Sequence, residues 1–275
     1  MKNRLLAVVL LLSMLLSGLS SETLAADTQI AVQNVPIRVT ALVDEQQIRA
    51  QNVAGELYLF LPKTADLTKL NLSFRKSGET TTVNEIVNVP SLIQKDSQGR
   101  YPLKTVLADG STVRFYVMQG SAIPTMYLTS ENTEQNRTWV DKSKKNEATG
   151  TMKLVSTDGE AIYNGGLTQI KARGNSTFTY FPKKAYQIKL SDKTDLLGNG
   201  EKGKTWVLLA NYGDATLMHD KLFKDLAAQL GMPYTVSCDW VSLYYDGEYR
   251  GVYLLSEKNS VGSTGVVVTD LGRIL

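Results

Sequence analysis

The chain has 275 residues, 43% of them hydrophobic and 21% charged, a length that suits two domains of ordinary size with ample apolar material for their cores. Lys and Arg number 30 against 27 Asp and Glu, a formal charge of +3, and this near-balance excludes the basic footprint of a nucleic-acid binder. With Cys238 as the only cysteine, no internal disulfide is available to hold the chain together.

The first residues carry Lys2 and Arg4, then an apolar run from Leu5 to Leu16, then a small-residue exit ending in Ala25-Ala26. A basic start, a short apolar stretch and a small-residue exit predict a signal peptide over residues 1–26, since a membrane span needs about 20 apolar residues. The mature protein is therefore expected outside the cytoplasm, with no membrane attachment after cleavage.

Residues 27–121 read as an antiparallel β-sandwich. Ile37–Val43, Glu56–Leu61, Leu70–Phe74 and Val113–Val117 alternate apolar and polar residues, separated by turn signals at Pro62, Ser77-Gly78, Gly99 and Gly110. No paired carboxylates or metal-ligand spacing occur in this half. Tyr58, Tyr101 and Tyr116 are its aromatics able to stack on sugar, and packing at a sheet face explains them more simply. This unit is expected to position or attach its neighbour.

A strand from Ile123 to Thr129 opens the second unit, residues 122–275. The run Ser130–Gly150, with charges of both signs and no apolar period, predicts a solvated loop, and Met152–Val155 a further strand. The stretch from Lys171 to Lys189 then reads as strand, small polar turn and basic strand, broken at Gly174-Asn175-Ser176. Gly174 permits φ > 0 and close approach of an anion, with Arg173, Lys183, Lys184 and Lys189 around the turn; an ordinary hairpin fits the same residues.

Trp206–Ala210 is apolar throughout, as for a strand buried on both faces. Asp214 supplies an N-cap for a helix over Ala215–Leu230, stopped by Gly231 and Pro233, with Leu222, Leu226 and Leu230 as its buried stripe and Phe223 beside it. Asp225 flanks that stripe, either as a solvated carboxylate or reaching a basic strand residue. His219, the sole histidine, reads as a surface or capping group. Strands Val236–Tyr245 and Tyr249–Leu255 follow, joined by Asp246-Gly247, a strong hairpin signal, and Cys238 reads as a small buried strand residue.

Strand, loop, basic strand, buried strand, helix and hairpin, in that order, are the parts of a kinase small lobe. The blocks RGNST from Arg173, PKKAYQIKL from Pro182, LLG from Leu196, WVLLANY from Trp206, KLFKDLAAQLGM from Lys221 and YDGEYRGVYLLSEK from Tyr245 resemble the CotH-like spore coat protein kinase family. The resemblance covers residue 123 onward and leaves the first β unit outside it. It implies an exported atypical protein kinase using ATP and Mg, acting on spore coat or cell-surface proteins. By the same resemblance Arg173, Gly174, Asn175 and Ser176 would face the phosphates and Lys184 or Lys189 would be the nucleotide-binding lysine. Asp225 would be the acidic helix partner, and Leu255, Ser256 and Glu257 the hinge.

The expected fold class is thus α+β: an antiparallel β-sandwich followed by a small-lobe-like mixed sheet with one main helix. His219-Asp220 stands where many relatives carry an Arg-Asn pair. The family's catalytic and metal-binding aspartates are expected beyond Leu275, Asp270 lying too near the end to replace them. No catalytic or metal-binding residue is therefore assigned. A kinase domain truncated after its small lobe would be competent at most for nucleotide binding, with a partner chain over the exposed lobe surface. The competing expectation is a non-catalytic binding or structural protein of the cell surface or spore coat.

Overall fold

The computed structural model describes residues 37–258, apart from Thr81, Ala108 and Asp109. The chain divides into two compact units, 1–34 and 35–275, and every described residue belongs to the second. The leader expected over residues 1–26 and Asp270 lie outside the described residues. No helix among them is long and apolar enough to cross a membrane.

The first eight strands are β1 (Ile37–Val43), β2 (Gln46–Arg49), β3 (Gln51–Val53), β4 (Glu56–Leu61), β5 (Leu70–Lys76), β6 (Val83–Val87), β7 (Tyr101–Val106) and β8 (Thr112–Gln119). They form two four-stranded sheets, ordered β2-β1-β5-β6 and β3-β4-β8-β7. Alternation decides which faces meet: Val39, Ala41, Leu72 and Phe74 of one sheet share a core with Leu59, Leu61, Phe115 and Val117 of the other. The expected antiparallel arrangement fails at one place, since β4 and β8 run parallel, with Tyr58 opposite Tyr116. A short helix, α1 (Val89–Leu92), has its first turn capped by the Asn88 side chain.

The remaining strands are β9 (Thr125–Ser130), β10 (Glu147–Val155), β11 (Ala161–Arg173), β12 (Ala185–Thr194), β13 (Gly203–Leu209), β14 (Cys238–Tyr245) and β15 (Glu248–Glu257). Where a small-lobe-like mixed sheet was expected, they close into a barrel, ordered β10-β11-β12-β13-β15-β14-β9. Closure comes from a parallel pairing of β14 with β9, Ser242 opposite Thr125 through Tyr245 opposite Leu128. A barrel leaves no free sheet edge, so each of its strands has a hydrogen-bonded neighbour on both sides. Ile170, Tyr186, Ile188, Trp206, Leu208, Leu243, Tyr253 and Leu255 fill its interior.

The run expected to be a solvated loop, Ser130–Gly150, instead holds the helix α2 (Arg137–Val140) and the start of β10, and it buries Val140 and Ala148. Trp206, Val207 and Leu208 are buried on both faces of β13, as expected. Asp246 and Gly247 take φ of 50° and 78° between β14 and β15, the positive values that a two-residue hairpin demands. The core crosses the 121/122 boundary: Tyr127, Val155 and Tyr244 of the barrel pack with the first two sheets.

Two further helices flank the barrel, α3 (Ser176–Tyr180) and α4 (His219–Gln229). The main helix starts later than Ala215, because Asp214 organises a turn: its carboxylate accepts the Thr216 and His219 amides at 2.9 Å each. Its expected buried stripe is exposed, with Leu222 at 57%, Leu226 at 45% and Leu230 at 69%, and Phe223 at 67%. The half-buried face carries Lys221, Lys224 and Ala227 instead. Their lysine heads reach the barrel's outer surface, Lys221 donating to the Cys238 carbonyl at 3.3 Å and Lys224 to Ser256 Oγ at 2.8 Å. This polar docking turns the leucines outward.

Candidate functional site

One end of the barrel opens into a cleft of about 380 Å3 where β11 ends, β12 begins and β13 ends. Its walls are Arg173 and Gly174 after β11, Phe181, Lys183 and Ala185 before and at the start of β12, the loop Ala210–Asp214 after β13, and His219 and Asp220 in the first turn of α4.

Gly174 sits at φ +104°, and a Cβ there would fall 2.1 Å from Thr177 Oγ1, so both conformation and packing require glycine. The chain then enters α3 rather than a tight turn, and β11 and β12 are joined across the longer excursion 174–184. Phe181 meets Tyr212 with ring centroids 5.4 Å apart and so closes one side of the cleft.

Lys183 is the cleft's inner cation. Its ammonium donates to the Ala210 carbonyl at 3.0 Å and the Val252 carbonyl at 2.5 Å, and lies 4.3 Å from the centre of the Tyr253 ring. An ammonium has three N–H donors, so one is left for a ligand. Burial, then repulsion from Arg250, lowers its pKa to about 8, so Lys183 is charged at neutral pH. Asp214 lines the same cleft from the loop after β13. Burial acts to raise the Asp214 pKa, but the His219 amide and the Thr216 hydroxyl and amide outweigh it and bring the value to about 2. His219 Nδ1 lies 3.0 Å from the same carboxylate. Asp220 lines the cleft with no hydrogen bond or ion pair to its carboxylate among the described residues.

The residues singled out from sequence divide into three groups. Arg173 and Gly174 line the cleft. Asn175 and Ser176 adjoin it, the Asn175 side chain accepting from Lys144 at 3.0 Å and Ser176 opening α3.

The two proposed lysines point elsewhere. Lys184 donates to the Phe178 and Phe181 carbonyls at 2.6 and 2.8 Å, which ties down the end of α3. Lys189 is exposed on the outside of β12. Asp225 is held by Lys221 of its own helix at 3.1 Å rather than by a strand lysine. Leu255, Ser256 and Glu257 are buried in β15, and β13 and β14 flank that strand on both sides, with Val207 and Cys238 opposite Ser256. Leu255 and Ser256 thus pair with neighbours on both sides, and Glu257 pairs with Trp206 of β13.

Sequence reasoning missed Lys183 as the better-placed lysine, along with Asp220. The strand begins only at Ala185, so Lys183 and Lys184 lie in the connection before it, where strand alternation does not set side-chain direction. The signal for Asp214 was present in Asp214-Ala215-Thr216, an Asx-turn pattern just ahead of a helix.

No curated protein matches the chain. A family model described as CotH kinase protein matches residues 170–263, a stretch shorter than half of the chain that contains every residue lining the cleft. Residues 170–263 are thus similar to the CotH kinase family, and the cleft at the barrel mouth lies wholly inside the matched stretch.

Proposed function

We propose that the cleft holds the phosphate groups of ATP, and that the chain is the nucleotide-handling part of an exported CotH-like phosphotransferase acting on spore coat or cell-surface proteins. One observation carries this reading: Arg173, the Lys183 ammonium and the glycine-permitted backbone at Gly174 converge on one cleft within the family segment. A guanidinium and an ammonium beside an open backbone turn suit a phosphate. The volume of about 380 Å3 falls within the span of small-ligand pockets.

The fit to magnesium is narrower. Among the described residues no cluster of three or more His, Cys, Asp or Glu could hold a metal. The cleft's two carboxylates differ: Asp214 is committed to the turn before α4, and Asp220 is open. Magnesium bound largely through nucleotide phosphates needs only one or two carboxylates, so a metal carried in on ATP fits Asp220 and a protein-only site does not. When bound, such a metal would screen the phosphate charge. The chain's own groups bind and orient: Arg173 and Lys183 take phosphate oxygens, and the Phe181–Tyr212 wall shields them from water.

Calorimetry of the chain with ATP and magnesium tests the reading. Millimolar or tighter binding is expected, weakened about tenfold or more by Arg173→Ala and by Lys183→Met, each of which removes a charged donor. Lys189→Ala should bind as the wild type does. Absence of binding at millimolar ATP, or wild-type affinity in both cleft variants with their folds intact, would overturn the assignment.

A further inference from the structure

The outer face of the β2-β1-β5-β6 sheet carries a second basic site, remote in sequence from the cleft. Pairing places Arg38 opposite Arg75, Thr40 between Arg49 and Ser73, Ser73 opposite Asn84, and Leu42 opposite Asn71. This face forms one wall of a groove of about 930 Å3, and Thr129, Ser130, Asn136 and Asp246 stand on the barrel side. A second groove of about 530 Å3 shares Arg38 and Arg49 with it and adds Arg250.

The local acids are spoken for. Asp246 accepts the Ser130 and Arg137 amides, Glu248 pairs with Arg137 at 2.6 Å, Glu45 with Lys153 at 3.0 Å, and Asp44 takes Thr64 and Tyr127. Arg38 and Arg75 are exposed and make no ion pair or side-chain hydrogen bond among the described residues. Arg49 reaches only a backbone oxygen, that of Asp246. Arg250 Nε is buried with no hydrogen-bond partner. Glu248, which lines the second groove, also lies 4.0 Å from the Arg250 guanidinium, so the uncompensated charge is that of Arg38 and Arg75, and like charges directly opposite on a sheet repel.

We propose that these grooves bind an extended, acidic polypeptide segment, its carboxylates or phosphates seated on Arg38, Arg75 and Arg49. Guanidinium forks match both anions. The like-facing rows along β1 repeat every two residues, about 6.4–6.8 Å, which is the side-chain repeat of an extended peptide laid beside them. Thr40, Ser73 and Asn84 supply polar partners for its backbone, and Leu42 at 49% exposure offers an apolar contact four residues from Arg38. A sugar polymer or single-stranded nucleic acid would need ring faces to stack on; the tyrosines of this groove, Tyr127 and Tyr244, are 3% and 2% exposed.

Fluorescence anisotropy of the whole chain with short labelled peptides tests this at low ionic strength. The probes are a Glu-rich peptide, a phosphoserine peptide and a Gln-matched neutral peptide, with polyuronate and a single-stranded oligonucleotide as competitors. One or both acidic peptides should bind and the neutral one should not, with affinity falling as salt is added. Their ratio identifies carboxylate or phosphate as the preferred anion. The double variant Arg38→Glu, Arg75→Glu and the milder Arg38→Gln should weaken binding, the former about tenfold or more. Arg114→Glu, on the other sheet, should leave it unchanged. The proposal falls if no acidic peptide binds at millimolar concentration, if the folded variants bind as wild type, or if polyuronate or the oligonucleotide binds more tightly than either peptide. ATP binding at the barrel mouth does not enter this assay, so the two readings stand or fall separately.

Discussion

Replacing Lys183 by methionine keeps the apolar stem and deletes the ammonium that joins the Ala210 and Val252 carbonyls. Two hydrogen bonds from a charged donor are each worth roughly 1.5–3 kcal/mol, and an unpaired carbonyl is left behind at each site. Opposing this, burial has lowered the pKa from 10.5 to about 8. That shift corresponds to about 3.4 kcal/mol at face value, and to about half of that once solvent reaching the open cleft is allowed for. The net expectation near neutral pH is a loss of about 2–4 kcal/mol.

The pH dependence separates the two contributions. Between the folded value of about 8 and the unfolded value of 10.5, the folded chain has released the Lys183 proton and the unfolded chain still holds it. Unfolding then takes up a proton, so wild-type stability rises with pH in that window. From about pH 7 to about pH 9.5 the gain is about 2 kcal/mol, or about 1 kcal/mol after the same allowance for solvent. The variant lacks this gain, so the stability gap in favour of the wild type should widen. Urea unfolding of both proteins across that range measures it. The upper limit is set by the phenols of Tyr186, Tyr244, Tyr245 and Tyr253, which burial pushes above 10 and which turn the trend downward once the unfolded chain begins to ionise. A gap that narrows with rising pH would refute the reasoning, because the two carbonyls would then outweigh burial and hold Lys183 above 10.5.

The helix and the glycine turn give two sharper tests. Leu254→Ala, at a fully buried position, should cost about 2–5 kcal/mol in urea unfolding, whereas Leu226→Ala on α4 should stay within about 0.5 kcal/mol. Equal costs would mean that α4 packs through its leucines in solution. Gly174→Ala should lose about 1–3 kcal/mol and weaken ATP binding, because alanine at φ +104° is strained and its Cβ meets Thr177. A variant that melts with the wild type would show that the turn does not need this conformation.

Much of the strand content was legible because alternation is a local property. Ile37–Val43 and Glu56–Leu61 appear as β1 and β4 with the expected bounds. The strands that were missed carry little alternating signal. Gln46–Arg49 and Gln51–Val53 bury Ile48 alone between them. Tyr101–Val106 contains Pro102, which a strand tolerates because β7 is the sheet's edge. Barrel closure was illegible for a different reason: the β9–β14 pairing joins residues more than a hundred positions apart, and no local pattern encodes a parallel partner. At the cleft the Arg173-Gly174 turn was legible from residue type. Lys183 was not, since its direction depends on a turn rather than on a strand's period.

The helix shows why an amphipathic pattern alone does not fix which side is buried. Leu222, Leu226 and Leu230 form the stripe that normally faces a core, yet Lys221 and Lys224 make the bonds to the barrel. The outer surface they meet presents a backbone carbonyl at Cys238 and a hydroxyl at Ser256, acceptors that a lysine satisfies and a leucine does not. An 11-residue helix is marginal in water without packing, and here the packing amounts to a few polar bonds and one half-buried alanine. The cleft therefore has walls of unequal stability. Arg173, Lys183 and Ala210 hang on barrel strand ends with no free edge, whereas His219 and Asp220 ride on a helix that is weakly held. A ligand gripped by the first wall and met by Asp220 from the second would add contacts to α4 that the barrel alone does not supply, so binding at the mouth and ordering of the helix are coupled by mass action.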